Sequence, residues 1–174
     1  APERFQSFWR DLAAKTGGQK GELVVMLPRE WEFKPDPTDD GQIYQWYLPG
    51  VGGRWRDIDT TLNWQAQGYQ DERGVAYWGE AWYRTSFYVP PEAEGKKLTL
   101  TFGGIYNSGL WFWVNGSLVE YLPDQYSKVP FDMDVTGYIK AGQINTVAVR
   151  VNTSPLGREH RSGIYRRAFI WTPR

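Results

Sequence analysis

A chain of 174 residues is long enough for one domain with a sizeable core. Lys plus Arg equals Asp plus Glu at 20 each, which leaves no global field to draw in nucleic acid or an anionic membrane. No apolar run approaches the ~20 residues of a membrane-spanning helix, and the absence of cysteine excludes disulfides, thiolate metal sites and cysteine nucleophiles.

Phe5, Phe8, Trp9 and Leu12 recur at helical spacing before Gly17-Gly18, which predicts one short amphipathic helix over 3–15, packed across a side or end of the domain. Beyond it, period-2 alternation dominates. In 81–89, Tyr83, Thr85, Phe87 and Val89 share one face while Trp82, Arg84, Ser86 and Tyr88 share the other; Pro90-Pro91 ends the strand because proline cannot donate to a ladder. In 97–102, Leu98, Leu100 and Phe102 oppose Thr99 and Thr101, and in 146–152, Val147, Val149 and Val151 oppose Ala148, Arg150 and Asn152. One apolar and one polar face per strand is the pattern of two sheets packed face to face, so an all-β sandwich is expected. Gly103-Gly104, Asn115-Gly116, Gly137, Ala141-Gly142 and Gly157 read as turns, with Asn115-Gly116 joining 110–114 to 118–122 in a type I′ hairpin. The division expected is a helix and lead-in over 1–21 and a single sandwich over 22–174.

Aromatic residues form 17% of the chain, including 10 Trp and 11 Tyr. That exceeds the needs of a core, so some are expected to face a ligand or a neighbouring domain. Trp111 and Trp113 alternate with Leu110, Phe112 and Val114, and thus emerge on one face, where paired rings suit stacking on a pyranose. The alternative is that a neighbouring domain or the chain's own N-terminal segment covers them. The loop 63–82 carries Trp64, Tyr69 and Trp78, either for recognition or to plug the open end of the sandwich. Asn107, after the Gly103-Gly104 pair, suits a hydrogen bond to a sugar hydroxyl or a local turn bond. Glu159, the sole histidine His160, and Arg161 lie in a loop that reads either as hydroxyl or carboxylate recognition or as a solvated charged surface.

Catalytic machinery is not legible. Neither a Gly-x-Ser-x-Gly elbow nor a His-Glu-x-x-His helix is present. Glycoside hydrolysis needs two carboxylates facing one another across the bond, and nothing in the sequence places Asp39-Asp40, Asp71-Glu72 or Asp132/Asp134 across a cleft.

Several motifs in one order carry a resemblance. The segments LPREWEFKPDPTDDGQIYQWYLPG (Leu27 to Gly50), WRDIDTTLNWQAQGY (Trp55 to Tyr69), GEAWYRTSFYVPPEAEGKKLTLTFGGIYNSGLWFWVNGSLVEY, FDMDVTGYIKAGQINTVAVRVN (Phe131 to Asn152) and SGIYRRAFIW (Ser162 to Trp171) are together similar to the sugar-binding domain of glycoside hydrolase family 2. The resemblance covers roughly 22–174. It implies a galactose-binding-like jelly roll and a non-catalytic carbohydrate-binding module, with the catalytic acids in a separate barrel domain. Its implied partners are a poly- or oligosaccharide and, in a docking-scaffold alternative, that barrel; no nucleic acid or membrane partner is expected, and the module is expected to be a monomer. It further implies a secreted or periplasmic setting and a recognition loop at Glu159, His160 and Arg161, where some relatives carry an Asp-rich sequence. No cofactor is indicated beyond the structural calcium that such sandwiches often hold, for which Asp36, Asp39, Asp40, Asp132 or Asp134 would supply oxygens.

Overall fold

The computed structural model describes residues 2–106, 109–123, 130–153 and 162–174, with side chains from residue 9 onward. Helix α1 (Pro2–Thr16) leads into strand β1 (Gly21–Met26). Then follow β2 (Glu30–Pro35), β3 (Arg56–Asp59), β4 (Glu80–Val89), β5 (Thr99–Tyr106), β6 (Gly109–Val114), β7 (Ser117–Leu122), β8 (Phe131–Asp134), β9 (Gln143–Asn152) and β10 (Gly163–Pro173). The strands form a four-stranded sheet ordered β1-β10-β5-β8 and a six-stranded sheet ordered β3-β2-β4-β9-β6-β7, antiparallel throughout.

The inward rows are those that alternation predicts. Leu100, Phe102 and Ile170 of one sheet meet Tyr83, Phe112, Val147, Val149 and Val151 of the other in one core. Trp31 and Phe102 make an edge-on contact at 5.9 Å between ring centroids, and Phe102 and Phe112 approach to 5.3 Å. The predicted hairpin is present: Asn115 and Gly116 take φ values of 49° and 81°, the positive pair that a type I′ turn requires. Asn115 is held there by its side chain, whose Nδ2 donates to Asn145 Oδ1 at 2.7 Å.

Two expectations are corrected. Gly103-Gly104 is not a turn, because β5 runs straight through it and neither glycine adopts a left-handed φ. Gly104 makes room for a neighbour: a Cβ there would lie 2.3 Å from the Tyr165 ring. The helical stripe is the other, at Trp9, which is 51% exposed; Leu12 is half-buried, and the side chains of Phe5 and Phe8 lie outside the described residues. Lys15 ties α1 to the sandwich: its ammonium pairs with Asp11 at 2.6 Å and Asp132 at 3.1 Å and lies 5.5 Å from the Trp171 ring centroid.

Candidate functional site

The outer face of the six-stranded sheet is covered by the chain itself. After β2, residues 36–55 cross back over β4, β9 and β6 as a strap, so Trp82 and Arg84, read on the polar face of their strand, are buried at 0% and 3% exposure. Beneath the strap, Trp46, Trp82, Trp113 and Ala148 form a second apolar cluster. Arg84 holds the strap from below. Its Nη1 donates to the carbonyls of Trp46, Leu48 and Val51, its Nε donates to Glu32 at 2.7 Å, and its guanidinium carbon lies 3.8 Å from the Trp55 ring centroid. Sequence reading passed over this residue because an arginine in an alternating strand looks the same whether solvent or a strap lies above it.

The outward tryptophan pair therefore needs correction. Trp113 is buried, stacked 5.0 Å from Tyr47 and 5.0 Å from Trp82. Trp111 is half-buried between register partners on both sides: Arg150 of β9, its guanidinium carbon 4.0 Å from the ring centroid, and Tyr121 of β7, stacked at 4.7 Å. Both faces of Trp111 are occupied, so neither indole offers a ring face to a sugar. The strap at Trp113, and cross-strand neighbours at Trp111, take the place the ligand was expected to hold.

The loop between β3 and β4 divides by residue. Trp64 is fully buried, donates its Nε1–H to the Tyr77 carbonyl at 2.8 Å and packs on Phe33, so it plugs the end of the sandwich and is corrected as a ligand contact. Tyr69 is half-buried, edge-on to Phe33 at 4.6 Å, with burial raising its phenol pKa. Trp78 is half-buried at the rim beside Gly79. Asn107, Glu159, His160 and Arg161 lie outside the described residues, but their flanking strand ends are placed. Asn152 pairs with both Glu80 and Gly109, and Tyr106 with Gly163. Gln65 reaches across to Ser162 at 2.8 Å, and Tyr83 accepts the Ile164 amide at 3.2 Å. Segments 64–65 and 78–80, residues Tyr106 and Gly109, and segments 152–153 and 162–164, far apart in sequence, thus converge on one end of the sandwich.

A polar cluster sits at that end. Arg150, 7% exposed at its side chain, donates from Nη2 to Asp39 Oδ1 at 2.5 Å and lies 3.2 Å from Glu80 Oε2. Asn152 Nδ2 donates to the other oxygen of Glu80. Glu80 Oε2 and Arg150 Nε are buried and have no hydrogen-bond partner among the described residues, an unfavourable state for charged groups away from water. Burial raises the Glu80 pKa, and the Arg150 charge opposes that rise only in part. Asp39, its side chain 61% exposed and its backbone at φ 57°, turns its carboxylate toward solvent on this rim. A carboxylate acceptor, an amide and a half-buried indole within one rim can hydrogen-bond hydroxyls and pack against an apolar sugar face.

The carboxylates considered for calcium do not fit that ion. Asp36 accepts from the Asp40 and Gly41 amides and from Trp82 Nε1, Asp39 pairs with Arg150, Asp40 accepts from Thr38, Asp132 from Lys15 and Asp134 from Thr136. Among the described residues no group of three or more His, Cys, Asp or Glu side chains converges as a metal site. No described helix is long and apolar enough to cross a membrane.

Comparison with known proteins gives this architecture its relatives. The sequence model of the glycosyl hydrolases family 2 sugar binding domain matches residues 26–170. A β-glucuronidase of Formosa agariphila is 29% identical over 163 residues, spanning 82% of this chain and 16% of that protein. A β-galactosidase of Clostridium acetobutylicum is 35% identical over 149 residues, covering 74% of this chain and again 16% of the relative. The chain thus spans about one sixth of the length of these curated relatives. Among solved structures, the apo β-glucuronidase from Ruminococcus gnavus superposes with a TM-score of 0.74 at 24% identity, over 87% of this chain and 29% of that one, which establishes the shared fold. With two antiparallel sheets in that arrangement and a match across nearly all of its length, the chain belongs to glycosyl hydrolase family 2, as its sugar-binding domain.

Proposed function

We propose that the chain is a non-catalytic carbohydrate-binding module of a larger family 2 glycoside hydrolase, and that it takes a poly- or oligosaccharide at the rim formed by Trp78, Asp39, Glu80 and Asn152. The observation that carries this reading is the convergence of sequence-distant segments on one end of the sandwich, where Asp39, Glu80, Arg150 and Asn152 bond to one another, with Trp78 two residues before Glu80. Hydrolysis is assigned to another domain. The acids at this end, Asp36, Asp39 and Glu80, are bonded to Trp82, Arg150 and Asn152 rather than opposed across a gap for a glycosidic bond. Affinity is expected to be weak, near millimolar, because an open rim buries little of its ligand. Titration of the purified chain with neutral and uronic oligosaccharides, followed by tryptophan fluorescence, tests the reading. Trp78→Ala should weaken any hit about tenfold, and a blank across the panel at millimolar ligand would sink it.

A docking scaffold that binds no sugar alone is the second reading, favoured by Ile43 and Tyr44, which stand 78% and 65% exposed on the strap. On that reading the strap packs against a catalytic domain and the isolated chain self-associates. Sedimentation velocity separates the two, since the binding-module reading expects a monomer.

A further inference from the structure

We propose that Tyr121 is an outer sugar-stacking subsite that extends the rim for longer glycan chains; this rests on the sugar-binding reading above. The argument begins with register. Arg150, Trp111 and Tyr121 are direct cross-strand neighbours on β9, β6 and β7, and their planar groups pack side by side across the sheet, at 4.0 Å from Arg150 to the Trp111 ring and 4.7 Å from Trp111 to Tyr121 with a 24° tilt. Because β7 is the outermost strand, this ladder ends at Tyr121. One face of the tyrosine ring lies against Trp111; among the described residues no ring or cation covers the other, and the residue is 48% exposed.

The ladder also fixes the ring in place. Arg150 is anchored to Asp39 at 2.5 Å, Trp111 leans over Gly109, where a Cβ would come 3.3 Å from the indole, and Tyr121 rests on that indole. A ring so held loses little rotamer freedom on binding, which removes part of the usual penalty of association. Its hydroxyl has no hydrogen-bond partner among the described residues and remains available to a sugar hydroxyl. A register shift between Phe112 and Trp113 adds a residue to β7; Val119 packs on the core while Leu118 and Tyr121, each 48% exposed, stay on the outward side. An aromatic ring with an aliphatic neighbour and a free hydroxyl fits the amphipathic face of a pyranose. Asn152 of the rim lies on β9, two strand spacings or about 10 Å from β7, so one extended oligosaccharide can engage both places.

The test is chain-length dependence. Dissociation constants for oligosaccharides of two to six residues, from the series that binds the wild-type chain, are measured for wild type, Tyr121→Ala and Tyr121→Trp, with melting temperature and near-ultraviolet circular dichroism confirming the fold. The expected result is a gain of tenfold or more from disaccharide to hexasaccharide in wild type, lost in Tyr121→Ala and kept in Tyr121→Trp. An equal gain in Tyr121→Ala would overturn the subsite while leaving the rim intact. Absence of binding by the wild-type chain at every length would overturn the sugar-binding reading itself and the subsite with it.

Discussion

The indole of Trp82 donates its Nε1–H to the carboxylate of Asp36 at 2.9 Å, joining a fully buried residue near the start of β4 to the first residue of the strap, 46 positions earlier in the chain. The same carboxylate accepts the amides of Asp40 and Gly41 at 2.8 and 2.9 Å. Three donors thus depend on one side chain. Gly41 is part of the fit, since a Cβ there would stand 2.3 Å from the Trp82 nitrogen.

Asp36→Ala leaves those three donors unpaired under the strap. At about 1–3 kcal/mol for a buried group left unsatisfied, and with partial relaxation, a loss of about 3 kcal/mol is expected. Urea unfolding of the variant and wild type measures it; a change below about 1 kcal/mol would mean that water replaces the carboxylate.

Arg84→Met removes the guanidinium that ties three strap carbonyls together and leaves Glu32 without its partner. A loss of about 3 kcal/mol is expected, chiefly because the three strap carbonyls lose their donor, since Glu32 is 49% exposed and water can solvate it; faster proteolysis within 37–55 should accompany it. Arg84→Lys keeps the charge without the planar fork and should fall in between. Equal cleavage rates in all three proteins would show that the strap is held by its aromatic contacts instead.

Gly163 has φ 83°, and a Cβ there would meet the Tyr83 hydroxyl at 2.1 Å and Trp64 at 2.7 Å. Gly68 has a similar φ of 85° with nothing within 4 Å. Gly68→Ala therefore reports backbone strain alone, about 1 kcal/mol, whereas Gly163→Ala adds a clash with a closed aromatic cluster and is expected to lose at least about 3 kcal/mol. Thermal melts of the pair separate the two contributions.

Glu80 sets a pH dependence. Its folded pKa lies above the ordinary value of 4.5, chiefly through desolvation. The folded state therefore holds this proton more tightly than the unfolded chain does. The corresponding stability is fully present below about pH 4.5 and is lost as pH rises through the folded value. Relative to Glu80→Gln, wild type should lose stability between pH 4.5 and neutrality. Denaturant unfolding of both proteins across that range gives the difference curve, and a flat difference would show that Arg150 compensates fully.

Much of the rim was legible only as a set of loops. The sequence marks 63–82 and the segment around 159–161 as recognition loops by their aromatic and polar content, but it does not separate Trp64, which the core absorbs, from Trp78, which stays at the rim. Glu80 falls inside the first of these loops and Asp39 reads only as an acidic pair member or calcium ligand, while Arg150 gives no signal; their meeting depends on a contact spanning 111 positions.

What the sequence determines by itself is local. Alternation of apolar and polar residues sets which side chains of β4, β5 and β9 face inward, since a strand's side-chain period is fixed by its pleat. Asn115-Gly116 likewise sets its turn through backbone sterics alone. The tertiary structure decides what lies above each outward face. It converts Trp113 and Arg84 from surface to interior by laying the strap over them, and it makes Gly104 a seat for Tyr165 rather than a turn. Those outcomes rest on packing between segments distant along the chain, where the same residue pattern serves a solvated face and a covered one equally well.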